Sequence, residues 1–158
     1  MSRTKQIIAL VLSLGIAFPV AWMGAFFTDL SIGTWYPTLI KPAWTPSGAT
    51  IGLIWTILYG LMAIAAWVVW LDGGAKGQRH PLRLYSLQLL LNLGWTFVFF
   101  GLRSPGIALV EIGVLWMAIL VTSVSFWRTS RLAGALMVPY LIWVSFAAAL
   151  NAKIWRLN

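Results

Sequence analysis

Few side chains in this sequence are suited to proton, metal or nucleophilic chemistry. There is one histidine, His80, there are three acids, Asp29, Asp72 and Glu111, and there is no cysteine. Such a scattered set cannot supply a nucleophile, its base and a group that orients the base, so hydrolysis and group transfer are not expected. His80 stands in a basic stretch without partner ligands, which argues against zinc or axial haem ligation, and no metal or required cofactor is expected. Without cysteine there are no disulfides, thiolate catalysis or Cys-ligated clusters. Neither a Walker-type phosphate loop nor a dinucleotide fingerprint is present. What remains is aromatic and amide chemistry: eleven tryptophans, with Gln88, Asn92 and Asn151 placed among apolar runs. These residue types suit the lining of a binding cavity better than a catalytic centre.

The elements that must position them are membrane helices. Hydrophobic residues make up 61% of the 158 and charged residues only 9%, and the apolar runs recur at about the bilayer's thickness. A water-soluble domain of this size could not hide so much apolar surface, whereas lipid accepts it on helix exteriors. The expected fold is all-α, an integral membrane bundle of five transmembrane helices forming a single domain over residues 1–158. The apolar runs are Ile7 to Phe27, Thr50 to Leu71, Pro81 to Gly101, Ile107 to Trp127 and Leu132 to Asn151. At 1.5 Å per residue, a run of about 21 residues spans roughly 31 Å. Pro19 should kink the first helix, Thr50 is a candidate cap for the second, and Asp72-Gly73-Gly74 should end it.

Between the first two helices lies the most unusual segment, T-W-Y-P-T-L-I-K-P-A-W-T-P-S, in which Pro37, Pro42 and Pro46 forbid a continuous helix. It reads as an ordered, outward-facing cap over about residues 28–49. The net charge of +8 would suggest nucleic acid in a soluble chain, but here the basic residues mark the ends of apolar runs. Anchoring to anionic headgroups is expected instead, and no nucleic-acid partner. Arg3, Lys5, Lys76, Arg79, Arg83, Arg128 and Arg131 fall on one side, against Lys41, Arg103, Lys153 and Arg156 on the other. The positive-inside rule then puts the N-terminus in the cytoplasm.

This topology sets depths. Trp55, Trp95 and Trp143 all fall roughly 8 to 12 Å below the cap. Gln88, Asn92, Trp95 and Phe99 share one face of the third helix, which should turn inward because an amide facing lipid is costly. Pro139, Trp143, Ala147 and Asn151 form a similar row on the fifth, and Trp55 shares a face with Tyr59 on the second. Two readings stand: a ligand cavity lidded by the cap, or a packed bundle whose amides only join helices. Glu111, roughly 10 Å deep in the fourth helix, could contact a ligand or relay a proton. The simpler expectation is a neutral carboxyl hydrogen-bonded to a neighbouring helix. Gly48 and Gly52 form a G-x-x-x-G, too short a pattern to argue dimerisation.

Four segments together carry a resemblance. Trp35 to Pro46 (W-Y-P-T-L-I-K-P-A-W-T-P), Ile54 to Tyr59 (I-W-T-I-L-Y), Gln88 to Phe100 (Q-L-L-L-N-L-G-W-T-F-V-F-F) and Pro139 to Asn151 (P-Y-L-I-W…A-A-A-L-N) resemble the tryptophan-rich sensory protein and translocator protein family, TspO/MBR. The resemblance covers nearly the whole chain. It implies a five-helix protein of the bacterial cell membrane, commonly a homodimer, that binds porphyrins such as protoporphyrin IX and haem, and synthetic benzodiazepine-site ligands. By motif, the implied ligand-binding residues are Tyr36, Pro46, Trp55, Asn92, Trp95, Trp143 and Ala147. Some bacterial relatives are reported to degrade protoporphyrin in light, which the resemblance would assign to Trp55 and Trp143 as catalytic residues. Lys41 or Arg103 would meet the porphyrin carboxylates. Sterol binding, a property of mitochondrial members, is the weaker implication, because A-L-N-A-K-I-W-R has Ala152 where the family's sterol motif needs an aromatic residue.

Overall fold

The computed structural model describes residues 2–158, which form five long helices with no strand among the described residues. Helix α1 spans Arg3–Ile32, α2 Gly48–Gly77, α3 Arg79–Thr96, α4 Pro105–Thr129 and α5 Arg131–Leu157. A π-helical turn, Phe97–Gly101, prolongs α3. All five helices are long and apolar enough to cross a bilayer, so the termini lie at opposite ends of the bundle. Large apolar side chains such as Ile7, Trp22, Leu90, Val110 and Ile142 point outward, as lipid permits.

The helices outrun the apolar runs that announce them. Helix α1 continues past Phe27 to Ile32 and α5 past Asn151 to Leu157, because polar side chains in the headgroup zone do not interrupt backbone hydrogen bonding. The connection between α1 and α2 is therefore confined to residues 33–47. The cap of α2 is Ser47 rather than Thr50: the Ser47 hydroxyl accepts from the Thr50 N–H at 3.2 Å. At its far end α2 breaks at Gly74, whose φ of +65° and ψ of −176° belong to a region essentially closed to other residues. The expected stop at Asp72-Gly73-Gly74 is thus a break, after which one short helical turn leads into α3.

Packing in lipid relies on close approach and on polar contacts between helices. The α4–α5 hairpin turns on Ser130, whose hydroxyl caps α5 by accepting from the Ala133 N–H at 3.5 Å. Gly134 then lies so near α4 that a Cβ there would stand 2.7 Å from the Trp127 backbone. Deeper in the bundle, Met62, Ile112, Leu115, Ile119, Met137 and Val144 form a dry core.

Glu111 departs from expectation. Both carboxyl oxygens are buried, yet neither has a hydrogen-bond partner. The carboxyl lies against Gly94 of α3, 3.4 Å from where a Cβ would stand, and glycine has no side chain to donate. It is also absent from the cavity described below.

These two positions make opposite predictions for thermal unfolding in detergent. Gly134→Ala should destabilise by about 1–3 kcal/mol, since a backbone rather than a flexible side chain must yield. Glu111→Met should stabilise by about 1–3 kcal/mol by removing an unsatisfied buried group; a lower melting temperature would show that the carboxyl has a structural partner.

Candidate functional site

Beneath the 33–47 loop the bundle encloses a cavity of about 560 Å³, walled by α1, α2, α3 with its π turn, and α5. That volume lies within the range of about 300–1,000 Å³ usual for small-molecule sites. Trp55 and Trp143 meet edge to face in its wall, with centroids 6.4 Å apart and planes at 88°. Trp95 leans on Phe99 at 5.4 Å on the α3 side. Tyr59 and Asn92 lie at the floor, where the Tyr59 hydroxyl donates to Asn92 Oδ1 at 3.0 Å and Asn92 Nδ2 donates to the Tyr140 hydroxyl at 2.6 Å. Tyr140 in turn donates to Gln88 Oε1 at 2.8 Å. This chain of hydrogen bonds joins α2, α3 and α5.

Of the residues singled out from sequence, Tyr36, Trp55, Asn92, Trp95, Trp143 and Ala147 all face this cavity. Pro46 does not: it is half-buried in the loop, and the wall contributed by α2 starts only at Gly48. Two members of the predicted stripes also leave the site. Gln88 is fully buried one turn below the floor, where it joins helices. Pro139 lies on the exposed face of α5, because each four-residue step around a helix of 3.6 residues per turn drifts by roughly 40°.

The α1 wall was not foreseen. Ala21, Gly24 and Thr28 recur at three- and four-residue intervals, and that small-residue face was the available signal. The π turn was unforeseen as well. It brings both Phe99 and Phe100 to the wall, and the Phe100 carbonyl accepts from the Ser31 hydroxyl of α1.

Most polar atoms of the wall are already engaged. Trp95 Nε1 donates to Asn151 Oδ1 at 3.0 Å, and Asn151 Nδ2 donates to the Pro105 carbonyl at 2.8 Å. The hydroxyls of Thr28, Thr56 and Thr96 each bond a carbonyl of their own helix. Trp143 Nε1, by contrast, is buried and has no partner. Among the described residues the wall holds one carboxylate, Asp29, and no basic side chain. Lys41 and Arg103 are committed elsewhere. Lys41 Nζ donates to the carbonyls of Tyr36 and Leu39 at 2.8 and 3.0 Å and sits 4.7 Å from the Tyr36 ring centroid. Arg103 Nε donates to Ser31 Oγ at 3.2 Å, beside a separate notch between Trp35, Pro105 and Trp155. Burial pushes the Tyr36 phenol above its ordinary value, so it meets the cavity neutral.

The loop is pinned as a lid. Trp35 packs on Phe99 at 5.8 Å and Trp44 on Phe146 at 5.5 Å. The side-chain amide of Asn158 pairs with both backbone groups of Ile40 at 3.0 Å.

Residues 9–156, nearly the whole chain, match the TspO/MBR family. The chain belongs to the TspO/MBR family. It is 42% identical over 155 residues to the tryptophan-rich protein TspO of Chlorobaculum tepidum, covering 98% of each chain. It is 41% identical over 124 residues to the tryptophan-rich sensory protein of Cereibacter sphaeroides, covering 78% of this chain and 77% of that one. With the human translocator protein it shares 39% identity over 126 residues, 78% of this chain and 75% of that one. Family membership and five bilayer-length helices together make this a multi-pass integral membrane protein.

Lys41→Met removes both carbonyl bonds and the cation above Tyr36. Proteolysis within residues 33–47 is expected to accelerate while the melting temperature of the bundle holds. Equal cleavage rates in the two proteins would show that the aromatic anchors alone hold the lid.

Proposed function

We propose that this TspO/MBR protein is a membrane receptor or carrier that binds porphyrins, protoporphyrin IX and haem-type tetrapyrroles, in the cavity beneath the 33–47 loop. The role is tetrapyrrole sensing, transport or disposal. The observation that carries this reading is the aromatic cavity itself, with Trp55, Trp95 and Trp143 on its walls. A flat π-system stacks on indoles. Because the wall has no basic group, the porphyrin's carboxylates belong at the loop end, in the headgroup zone, with the apolar edge of the ring pointing down toward Asn92. The N-terminus is assigned to the cytoplasm on the distribution of basic residues, and a homodimer in the bacterial cell membrane is the proposed working form.

One geometric feature favours a second reading, light- and oxygen-dependent porphyrin breakdown. Trp55 and Trp143 are in contact with one another at 6.4 Å and both face the cavity, so either indole would be a near electron donor to a photoexcited ring.

Titration of purified protein with protoporphyrin IX, followed by tryptophan quenching and porphyrin absorbance, tests both readings. Saturable binding is expected in darkness, weakened about two- to tenfold by Trp55→Phe or Trp143→Phe, as loss of about 0.5–1.5 kcal/mol of aromatic contact predicts. Absence of saturation overturns the porphyrin reading. Under illumination in air, bleaching by wild type that Trp55→Phe/Trp143→Phe abolishes supports breakdown; an unchanged spectrum removes it.

A further inference from the structure

The cavity wall is unevenly closed. Its residues on α3, on the π turn, on α5 and in the loop are buried or half-buried, and every exposed one lies on α1 or α2. Ala25 and Asp29 on α1 face Gly48, Gly52 and Thr56 on α2 across this region, all five exposed. A Cβ placed at Gly48 or Gly52 would meet no atom within 4 Å. The pair that the sequence offers as a G-x-x-x-G contact therefore packs against nothing in the monomer.

The course of α1 explains the gap. In the half of the bundle near the N-terminus α1 is fastened to α2: the Ser13 hydroxyl donates to the Ala63 carbonyl at 2.7 Å, and Trp67 Nε1 donates to the Gln6 carbonyl at 2.9 Å. Toward the loop end it is fastened to α3 and its π turn instead. Gly24 lies against Thr96, Phe27 meets Phe97 at 5.1 Å, and Ser31 bonds the Phe100 carbonyl. A helix held to α2 at one end and to α3 at the other must part from α2 in the loop half. Meanwhile the loop above is fixed by Lys41, by Trp35 and Trp44 and by Asn158.

We infer that the slot between α1 and α2, edged by Ala25, Asp29, Gly48, Gly52 and Thr56, is the cavity's entrance, admitting flat apolar ligands sideways from the bilayer leaflet on the loop side. The ligand class rests on the porphyrin reading; the route does not. Phe18 and Ile32 are the bulky exposed lining residues of α1; between them the edge carries the smaller Ala25 and Asp29, opposite Gly48, Gly52 and Thr56, with the threonine hydroxyl already bonded to Gly52 O. The single carboxylate, Asp29, stands at the end nearest the headgroups, and the rest of the edge, Ala25, Gly48, Gly52 and Thr56, is uncharged.

Because the chain has no cysteine, Ala147→Cys places one thiol on the far wall of the cavity. In phosphatidylcholine vesicles a lipid-dissolved pyrene maleimide should label it faster than a sulfonated maleimide confined to water. Adding Gly52→Phe, which has room for its ring on the lipid side, should slow the pyrene reaction about tenfold or more, and Gly48→Leu should slow it less. Melting temperatures check that each variant is folded, and Gly48→Leu stands in should Gly52→Phe fail to fold. Equal pyrene labelling with and without the plug, or faster labelling from water, overturns the inference. With protoporphyrin IX preloaded in the vesicles, the plug should slow association and dissociation alike. Slot-dependent labelling without porphyrin binding would overturn the ligand and support the route; porphyrin binding with unaltered rates and labelling would overturn the route alone.

Discussion

The chain of hydrogen bonds from Tyr59 through Asn92 and Tyr140 to Gln88 is the contact on which the rest of the bundle depends. Lipid gives apolar helices no hydrophobic reason to associate, so shape and polar pairing must set which faces meet. Here three helices meet through two phenols and two amides that are all nearly inaccessible. Leaving any of them unpaired in a low-dielectric core would be costly, and that cost fixes the register of α2, α3 and α5. The same chain sets the lower boundary of the cavity. Below Asn92 the core is filled by buried side chains; above it lies the aromatic-walled cavity.

The upper half is held by a different logic. Trp95, Asn151 and the Pro105 carbonyl form a second polar link, joining α3, α5 and the start of α4 near the loop. The π turn after Thr96 adds a residue to the helical circuit. Its Phe100 carbonyl is taken up by Ser31 rather than left bare. Helix α1 is thereby drawn to α3 at the loop end although it is bound to α2 at the other. Empty volume and a lateral seam both follow from this crossing. A helix parallel to α2 throughout would close the seam.

Among the described residues, two carboxyl groups stand apart from the basic residues at the helix ends. Asp29 marks the upper rim of the cavity, in reach of the headgroup zone, and Glu111 is buried unpaired between α3 and α4. Lys41, within the loop, is engaged by the Tyr36 and Leu39 carbonyls, and Arg103 by the Ser31 hydroxyl of α1. A ligand therefore meets an aromatic, almost uncharged chamber under a fixed lid. In such a site shape and π contact dominate.

Composition and spacing alone determined the five crossings, the proline-broken cap and the inward faces that carry Trp55, Asn92, Trp95 and Trp143. Hydrocarbon thickness, proline geometry and the cost of an amide in lipid act on local sequence and leave few alternatives. The family, too, was legible in four ordered motifs. Only the tertiary structure decided that Gln88 joins helices while Asn92 also faces the cavity, that Pro46 stops short of the wall, and that Pro139 faces outward. It alone revealed α1 as a wall, the π turn behind Phe99 and Phe100, and the missing partner of Glu111. These features depend on where one helix crosses another, and crossing is set by small residues and hydrogen bonds far apart in the chain. Periodicity reports which face of a helix is special, but the neighbour that the face meets is fixed by packing among all five.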